Sequence, residues 1–305
     1  MNPPFVSIIV AVYNGEKIIG ACLESLIFQD YPQDRTEIIV VDNKSSDRTA
    51  AVVHRYPVRY VREERIQGSY AARNTGAAQA KGEALLFFDA DQVVEPDFLK
   101  KFMGAWEDKL FSAFGAPYKP IGDRNTLAGK YWHEQEDVVY SNTNRNHPFP
   151  KLGGGNLLIR REVFEALGGF DSSFISWGDC DFSYRLFLAK YSVKFILDAV
   201  IGHKERNTIK SLLSREYRIG FGRSSFDRKH RLYRESIIKV LRRALGRTLI
   251  GIPALLVGMV RPLNGRSRSE HLGLILLDTA MRWAYFGGRM HYLFRWNNGR
   301  LPAKW

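Results

Sequence analysis

Asp89 and Asp91 stand two positions apart at the end of the apolar run ALLFF. In an extended chain residues i and i+2 lean to one face, so both carboxylates can converge on one cleft. Two oxygen donors of this kind suit a hard divalent cation, Mg2+ or Mn2+, whose shell is often completed by substrate phosphates. The plainer alternative is a solvated acid pair capping the helix that Pro96 opens. Other polar groups occupy comparable places: Tyr13 and Asn14 follow the first apolar run, Asp42 ends the second, and Arg73 and Asn74 lie in a helical stretch. The run Gly153-Gly154-Gly155-Asn156 reads as a turn whose bare backbone admits a ligand closely and whose Asn156 can hydrogen-bond hydroxyls.

The elements that would position these groups are legible in the front of the chain. Val6 to Val12 and Glu37 to Val41 are apolar runs of strand length, as expected for strands buried on both faces. Between them Ile18, Ile19, Cys22, Leu23, Leu26 and Ile27 recur at helical spacing, and Ser45, Ser46 and Asp47 supply N-cap chemistry for a helix from Thr49. A strand near Val58 to Val61, a helix over about Tyr70 to Ala80, a strand over Ala84 to Phe88 and a helix from Pro96 to about Leu110 continue the alternation. This pattern predicts a mostly parallel, doubly wound α/β sheet, and open sheets of that class bind ligands beyond the carboxyl ends of their strands. Residues 125–203 add a helix, a strand at Leu157 to Arg160 and a helix following Asp181.

Composition bounds the rest. In 305 residues, 45% hydrophobic and 13% aromatic, there is material for a real core. Cys22 and Cys180 have no metal or disulfide spacing, so a reducing compartment is expected, and the opening residues lack the basic region of a signal peptide. Residues 1–203 carry 23 Lys and Arg against 26 Asp and Glu, whereas residues 204–305 carry 22 against 6. The whole cationic excess therefore belongs to the last third, where an anionic surface is the expected partner. No nucleic-acid motif accompanies it, so nucleic acid is not expected to be that partner.

Four segments, VSIIVAVYNGEKIIGACLESLIFQDYP, VVDNKSSDRT, AARNTGAAQAKGEALLFFDADQVVEPDFL and GGNLLIRREVFEALGGFDSSF, resemble in order and spacing the family 2 glycosyltransferases of the GT-A fold, over about residues 5 to 225. The resemblance implies a Rossmann-like, mostly parallel sheet flanked by helices, with a basic helical C-terminal extension. It implies a catalytic domain over 1–225, divided into a nucleotide-sugar-binding half (1–120) and an acceptor-binding half (121–225), and a membrane-associating region over 226–305. Asp89-Ala90-Asp91 matches the D-x-D element, which implies a nucleotide sugar held through its ribose and a metal-bridged diphosphate, with Asp91 and His203 on the cation. Ala11, Val12, Tyr13 and Asp42 match the nucleoside pocket, and Arg73 a position beside base and phosphate; an Asx-turn toward Ser45 is the alternative for Asp42 and a surface salt bridge for Arg73.

Inverting transfer needs a base for the acceptor hydroxyl. Asp179 aligns with it, while Gly178 stands where the family usually has Glu, which leaves Asp181 as the competing acid or as a helix cap. Gly154, Gly155, Asn156, Trp177 and Asp181 are the residues expected around acceptor or donor sugar, with a core role the alternative for Trp177.

In the tail, Ile209 to Arg247 reads as a cationic helical stretch. TLIGIPALLVGMV is too short to span a membrane, and His271 to Phe286 is interrupted by Asp278 and Arg282. Such segments suit the interface of an anionic leaflet. The strings Thr279 to Trp283 and Tyr292 to Trp296 end in Arg-Trp but lack the Gln of the Q-x-x-R-W element of processive synthases, which argues for one sugar per encounter. The expected activity is transfer of a single sugar from a UDP- or GDP-sugar to a glycan or lipid-linked hydroxyl, by a cytoplasmic protein peripheral on the cytoplasmic face of the inner membrane. The alternative is a silent nucleotide- or glycan-binding scaffold.

Overall fold

The computed structural model describes residues 3–122, 124–133, 149–204, 208–231 and 268–297, with residues 238, 241, 242, 245, 246, 248 and 249. Most of TLIGIPALLVGMV lies outside the described residues. The chain divides into two compact units.

The first unit takes in residues 1–121, 136–174 and 178–204. Its seven-stranded sheet runs β3 (Arg59–Arg62), β2 (Thr36–Asp42), β1 (Val6–Val12), β4 (Ala84–Asp89), β8 (Asn156–Arg160), β6 (Ala113–Gly115) and β9 (Val193–Phe195). All pairings are parallel except those of β8, which is antiparallel to β4 and β6. Strand β1 is buried at every position because strands flank it on both edges and helices cover both faces. On β4, consecutive side chains serve opposite faces. The Phe87 ring lies 5.0 Å from Phe164 and 5.2 Å from Phe170, whereas Phe88 lies 6.0 Å from Phe98. Burying a side chain of this size contributes roughly 1.5 to 3 kcal/mol, which is why the FF pair fixes the strand between two helical layers.

The helices of this unit are α1 (Ile19–Ile27), α2 (Thr49–Val53), α3 (Ser69–Gln79), α4 (Phe98–Trp106), α5 (Arg161–Ala166) and α6 (Gly178–Leu188). Helix α2 is one turn only, and α6 begins three residues before Asp181. A second, three-stranded sheet, β5 (Gln92–Val94), β10 (Ile201–Lys204) and β7 (Tyr118–Ile121), has no counterpart in the apolar periodicity. Its strands are three or four residues long, and β10 pairs antiparallel with β5 so that His203 stands opposite Gln92.

The second unit comprises described residues of 122–135, 175–177 and 205–305. The change in charge balance at residue 204 thus falls at the unit boundary. Helices α7 (Ile209–Lys229) and α8 (Arg268–Asn297) pack together over a core of Ala128, Tyr131, Trp132, Leu212, Leu274, Leu277 and Met281. Glycines set the crossing: a Cβ on Gly220 would fall on the Tyr285 carbonyl, and one on Gly288 on the Tyr217 carbonyl and 2.9 Å from the Phe221 nitrogen. Backbone cannot yield as a side chain can, so Gly288→Val should destabilise this unit by about 2 to 3 kcal/mol, read as a lowered urea midpoint of tryptophan fluorescence. An unchanged midpoint would contradict this packing. Some of the arginines are paired within the unit, Arg223 and Arg289 with the buried Asp227 at 2.8 and 3.0 Å and Arg282 with Asp278 at 2.9 Å. Among the described residues no helix is long and apolar enough to cross a membrane.

Candidate functional site

The register of the central sheet brings the D-x-D segment and the nucleoside-pocket residues to one edge. Ala11 pairs across β1 with Val41 on one side and Asp89 on the other, and Val12 pairs with Asp42. Tyr13 then leaves the strand 55% exposed. Asp42 is buried, its Oδ1 accepting from the Ser45 backbone N–H at 2.8 Å and its Oδ2 from the Tyr60 hydroxyl at 2.7 Å. The turn toward Ser45 is therefore present, and the carboxylate is oriented by it. Burial and the hydrogen bond to Asp42 push the Tyr60 phenol up to about 12. The two βα turns are laced together: Asn14 N–H donates to Ser45 Oγ and Gly15 N–H to Thr49 Oγ1, both at 2.8 Å, while Ser46 N–H donates to Asn14 Oδ1. Ser45, Ser46 and Thr49 thus brace the first turn; of Ser45, Ser46 and Asp47, the three residues expected to cap α2, only Asp47 bonds its start, its Oδ1 accepting from the Thr49 N–H at 3.0 Å.

Asp89 and Asp91 have different surroundings. Asp89 is ion-paired with the Arg73 guanidinium, and its backbone N–H donates to Gln92 Oε1 at 3.0 Å. Arg73 is 4% exposed, with its guanidinium carbon 5.5 Å from the centre of the Tyr70 ring. It is a buried partner of Asp89 rather than a surface salt bridge. The glycine run lies against this pair: a Cβ on Gly154 would sit 2.8 Å from Arg73 Nη1, and one on Gly155 2.5 Å from Asp89 Cγ. Asn156 is 1% exposed and donates from Nδ2 to the Ala116 carbonyl at 2.6 Å, tying β8 to the loop after β6.

Asp91 lies two residues beyond the end of β4, directly before β5, and 3.5 Å from His203 Nε2. The pairing of β10 with β5 produces this meeting, and the Lys204 N–H donates to the Asp91 carbonyl at 2.9 Å. Both side chains keep some exposure, 31% for Asp91 and 15% for His203. A carboxylate oxygen and an imidazole nitrogen at this separation fit a divalent ion that takes further ligands from substrate oxygens and water. Among the described residues no group of three or more His, Cys, Asp and Glu is placed to hold a metal ion.

Asp179 and Asp181 open α6 and are used differently. Asp181 is fully buried and accepts from Arg185 Nε at 2.9 Å, while the same guanidinium donates to the Leu167 and Gly169 carbonyls. That is the setting of a structural acid, one helical turn from its cation. Asp179 is half-buried, and its Oδ1 accepts from the Cys180 N–H at 2.9 Å and from the Tyr70 hydroxyl at 3.3 Å. Among the described residues nothing donates to its Oδ2. A Cβ on Gly178 would meet the Tyr70 ring at 2.6 Å, so glycine stands at this position because an aromatic ring fills the space. In the second unit Trp177 has φ +69° and its ring lies 4.6 Å from the Arg223 guanidinium carbon and 5.6 Å from the Phe226 ring, contacts that hold it against α7.

Four side chains shape the site without a signal in local pattern. Tyr60 orients Asp42, Gln92 holds the Asp89 backbone, and Tyr70 reaches Asp179. Glu63 accepts from the Arg65 and Ile66 N–H groups and from the Thr75 hydroxyl, fixing the loop before α3. Glu63 directly follows β3, one residue past the strand end.

The model of glycosyl transferase family 2 matches residues 7–168, and that of the N-terminal domain of galactosyltransferase matches residues 135–206. The chain is 31% identical over 224 residues to glycosyltransferase AglE of Haloferax volcanii, covering 72% of this chain and 73% of the relative. It is 26% identical over 254 residues, 74% of each chain, to a dolichyl N-acetyl-alpha-D-glucosaminyl phosphate 3-beta-D-2,3-diacetamido-2,3-dideoxy-beta-D-glucuronosyltransferase of Methanococcus voltae. It spans a smaller share, 52% and 43%, of two further curated relatives. A mannosyltransferase of Pyrobaculum calidifontis, solved with GDP-Man and Mn2+, shares the fold with a TM-score of 0.56 at 20% identity, covering 99% of this chain and 78% of that one.

Proposed function

The chain belongs to glycosyl transferase family 2, and from that premise we propose that it is an inverting enzyme moving one sugar from a UDP- or GDP-sugar to a hydroxyl of a lipid-linked glycan. The observation that carries this reading is the division of labour between the paired acids. Asp89 is committed to Arg73 and Asp181 to Arg185, while Asp91 stands 3.5 Å from His203 Nε2 and Asp179 Oδ2 receives no donor among the described residues.

Asp42 and Tyr13 receive the nucleoside, with Ala11 and Val12 as the floor of the pocket. Asp91 and His203 hold a divalent cation; Mn2+ accommodates the mixed oxygen and nitrogen pair better than Mg2+, which demands oxygen. When bound, that ion neutralises charge on the diphosphate leaving group. Asp179 accepts the acceptor hydroxyl proton as the oxygen attacks the anomeric carbon opposite the diphosphate. Attack from that side inverts the configuration at the anomeric carbon. The Gly154 and Gly155 backbone and Asn156 border the sugars. The departure at Gly178, which motivated the silent-scaffold alternative, has a packing cause in Tyr70.

A lipid-linked acceptor agrees with the name of the Methanococcus voltae relative and with the tail. Ile238, Leu245 and Leu249 are exposed, and so is Arg242. Exposed apolar and cationic side chains in one stretch suit an anionic interface, and the protein works at the cytoplasmic face of the inner membrane. Incubating full-length protein and Mn2+ with UDP- and GDP-sugars and polyprenyl-linked acceptors should yield a glycoside whose anomeric proton coupling is opposite to that of the donor. A product of retained configuration would contradict the reading.

A further inference from the structure

Helix α3 carries Tyr70 and Arg73 at i and i+3, so the two side chains share one helical face. Arg73 is ion-paired with Asp89 at the donor end, and the Tyr70 hydroxyl lies 3.3 Å from Asp179 Oδ1. The Tyr70 ring is 94% buried between the bare Cα of Gly178, the Phe170 ring 5.7 Å away and the Arg73 guanidinium. Any residue other than glycine at 178 would displace this ring. The position where relatives usually carry Glu is thus given up to a phenol from a helix more than 100 residues earlier in the chain.

We propose that Tyr70 is a positioning residue for the base: its hydroxyl and the Cys180 N–H hold Asp179 Oδ1, which turns Oδ2 toward the acceptor hydroxyl. The inference rests on the reading of Asp179 as the base and adds a residue that acts through it. A fixed rotamer removes the entropy of orienting the carboxylate for each encounter. Burial, and then the charge of Asp179, hold the Tyr70 phenol well above its usual range, so it remains a donor at every pH at which the enzyme works. The other charged or titratable groups near Asp179 are Arg73 from α3 and the neighbouring Cys180 and the Asp181–Arg185 pair on α6.

The test needs no knowledge of the natural acceptor. In Tyr70→Phe, which keeps the ring and its packing, kcat for nucleoside diphosphate release from UDP-glucose or GDP-mannose, with water as acceptor, should fall about tenfold with KM unchanged, at matched concentrations of folded full-length protein. Nucleotide affinity should stay within about twofold, since Tyr70 makes no contact with the donor carboxylates. An unchanged kcat in Tyr70→Phe overturns the proposal, and so does a change in KM alone, because a residue that positions the base acts on the chemical step and not on donor binding. Full turnover in Asp179→Asn would instead overturn the base assignment, an outcome distinguishable from the first.

Discussion

Asp179→Asn protein is expected to bind nucleotide as tightly as the parent and to transfer sugar about a thousandfold more slowly, the scale of general base catalysis by one positioned carboxylate. The amide conserves volume and can still meet the Cys180 N–H through its oxygen, so the helix start survives. What it cannot do is take a proton from the acceptor hydroxyl. Asp181→Asn provides the contrast. It weakens the ion pair between the buried Asp181 and the partly exposed Arg185 and should lower stability by about 2 kcal/mol while leaving the turnover of the folded fraction far less affected. Progress curves at matched concentrations of folded protein separate the two, and near-parental turnover in Asp179→Asn would remove Asp179 from the chemistry.

Asp91→Asn is expected to weaken metal-dependent nucleotide binding about ten- to a hundredfold and to lower turnover with it. Asp91 stands 3.5 Å from His203, and replacing its carboxylate leaves the imidazole as the single side-chain ligand of this pair. The amide oxygen is a poorer ligand for a hard cation than a carboxylate. Binding measured without metal should barely change. Equal loss with and without Mn2+ would mean that Asp91 contacts the nucleotide directly.

The strands that carry the donor side were legible because they are buried on both faces and read as continuous apolar runs: β1, β2 and β4 each begin and end within a residue of the predicted limits. The small sheet was not legible. Three- and four-residue strands are too short to display a period, and the pairing of β10 with β5 joins segments about a hundred residues apart. The meeting of His203 with Asp91 depends on that pairing, and at the sequence level it came only through family resemblance. Asp181 carried a readable hint in Arg185 at i+4, the spacing of a helical ion pair. Tyr70 carried none, since its hydroxyl meets Asp179 through tertiary packing alone. For Asp42 the local turn and the proposed ligand role use the same carboxylate, so either reading of the residues captured part of its surroundings.

The most direct test of the account is calorimetric titration of UDP and of GDP into purified full-length protein, with and without Mn2+, beside the Asp91→Asn variant. The account predicts that one of the two nucleotides binds, that Mn2+ strengthens its binding, and that the variant loses the metal-dependent part. Failure of both nucleotides to bind in the presence of Mn2+ would contradict it, because the residues gathered beyond β1, β2 and β4 would then not form a donor site.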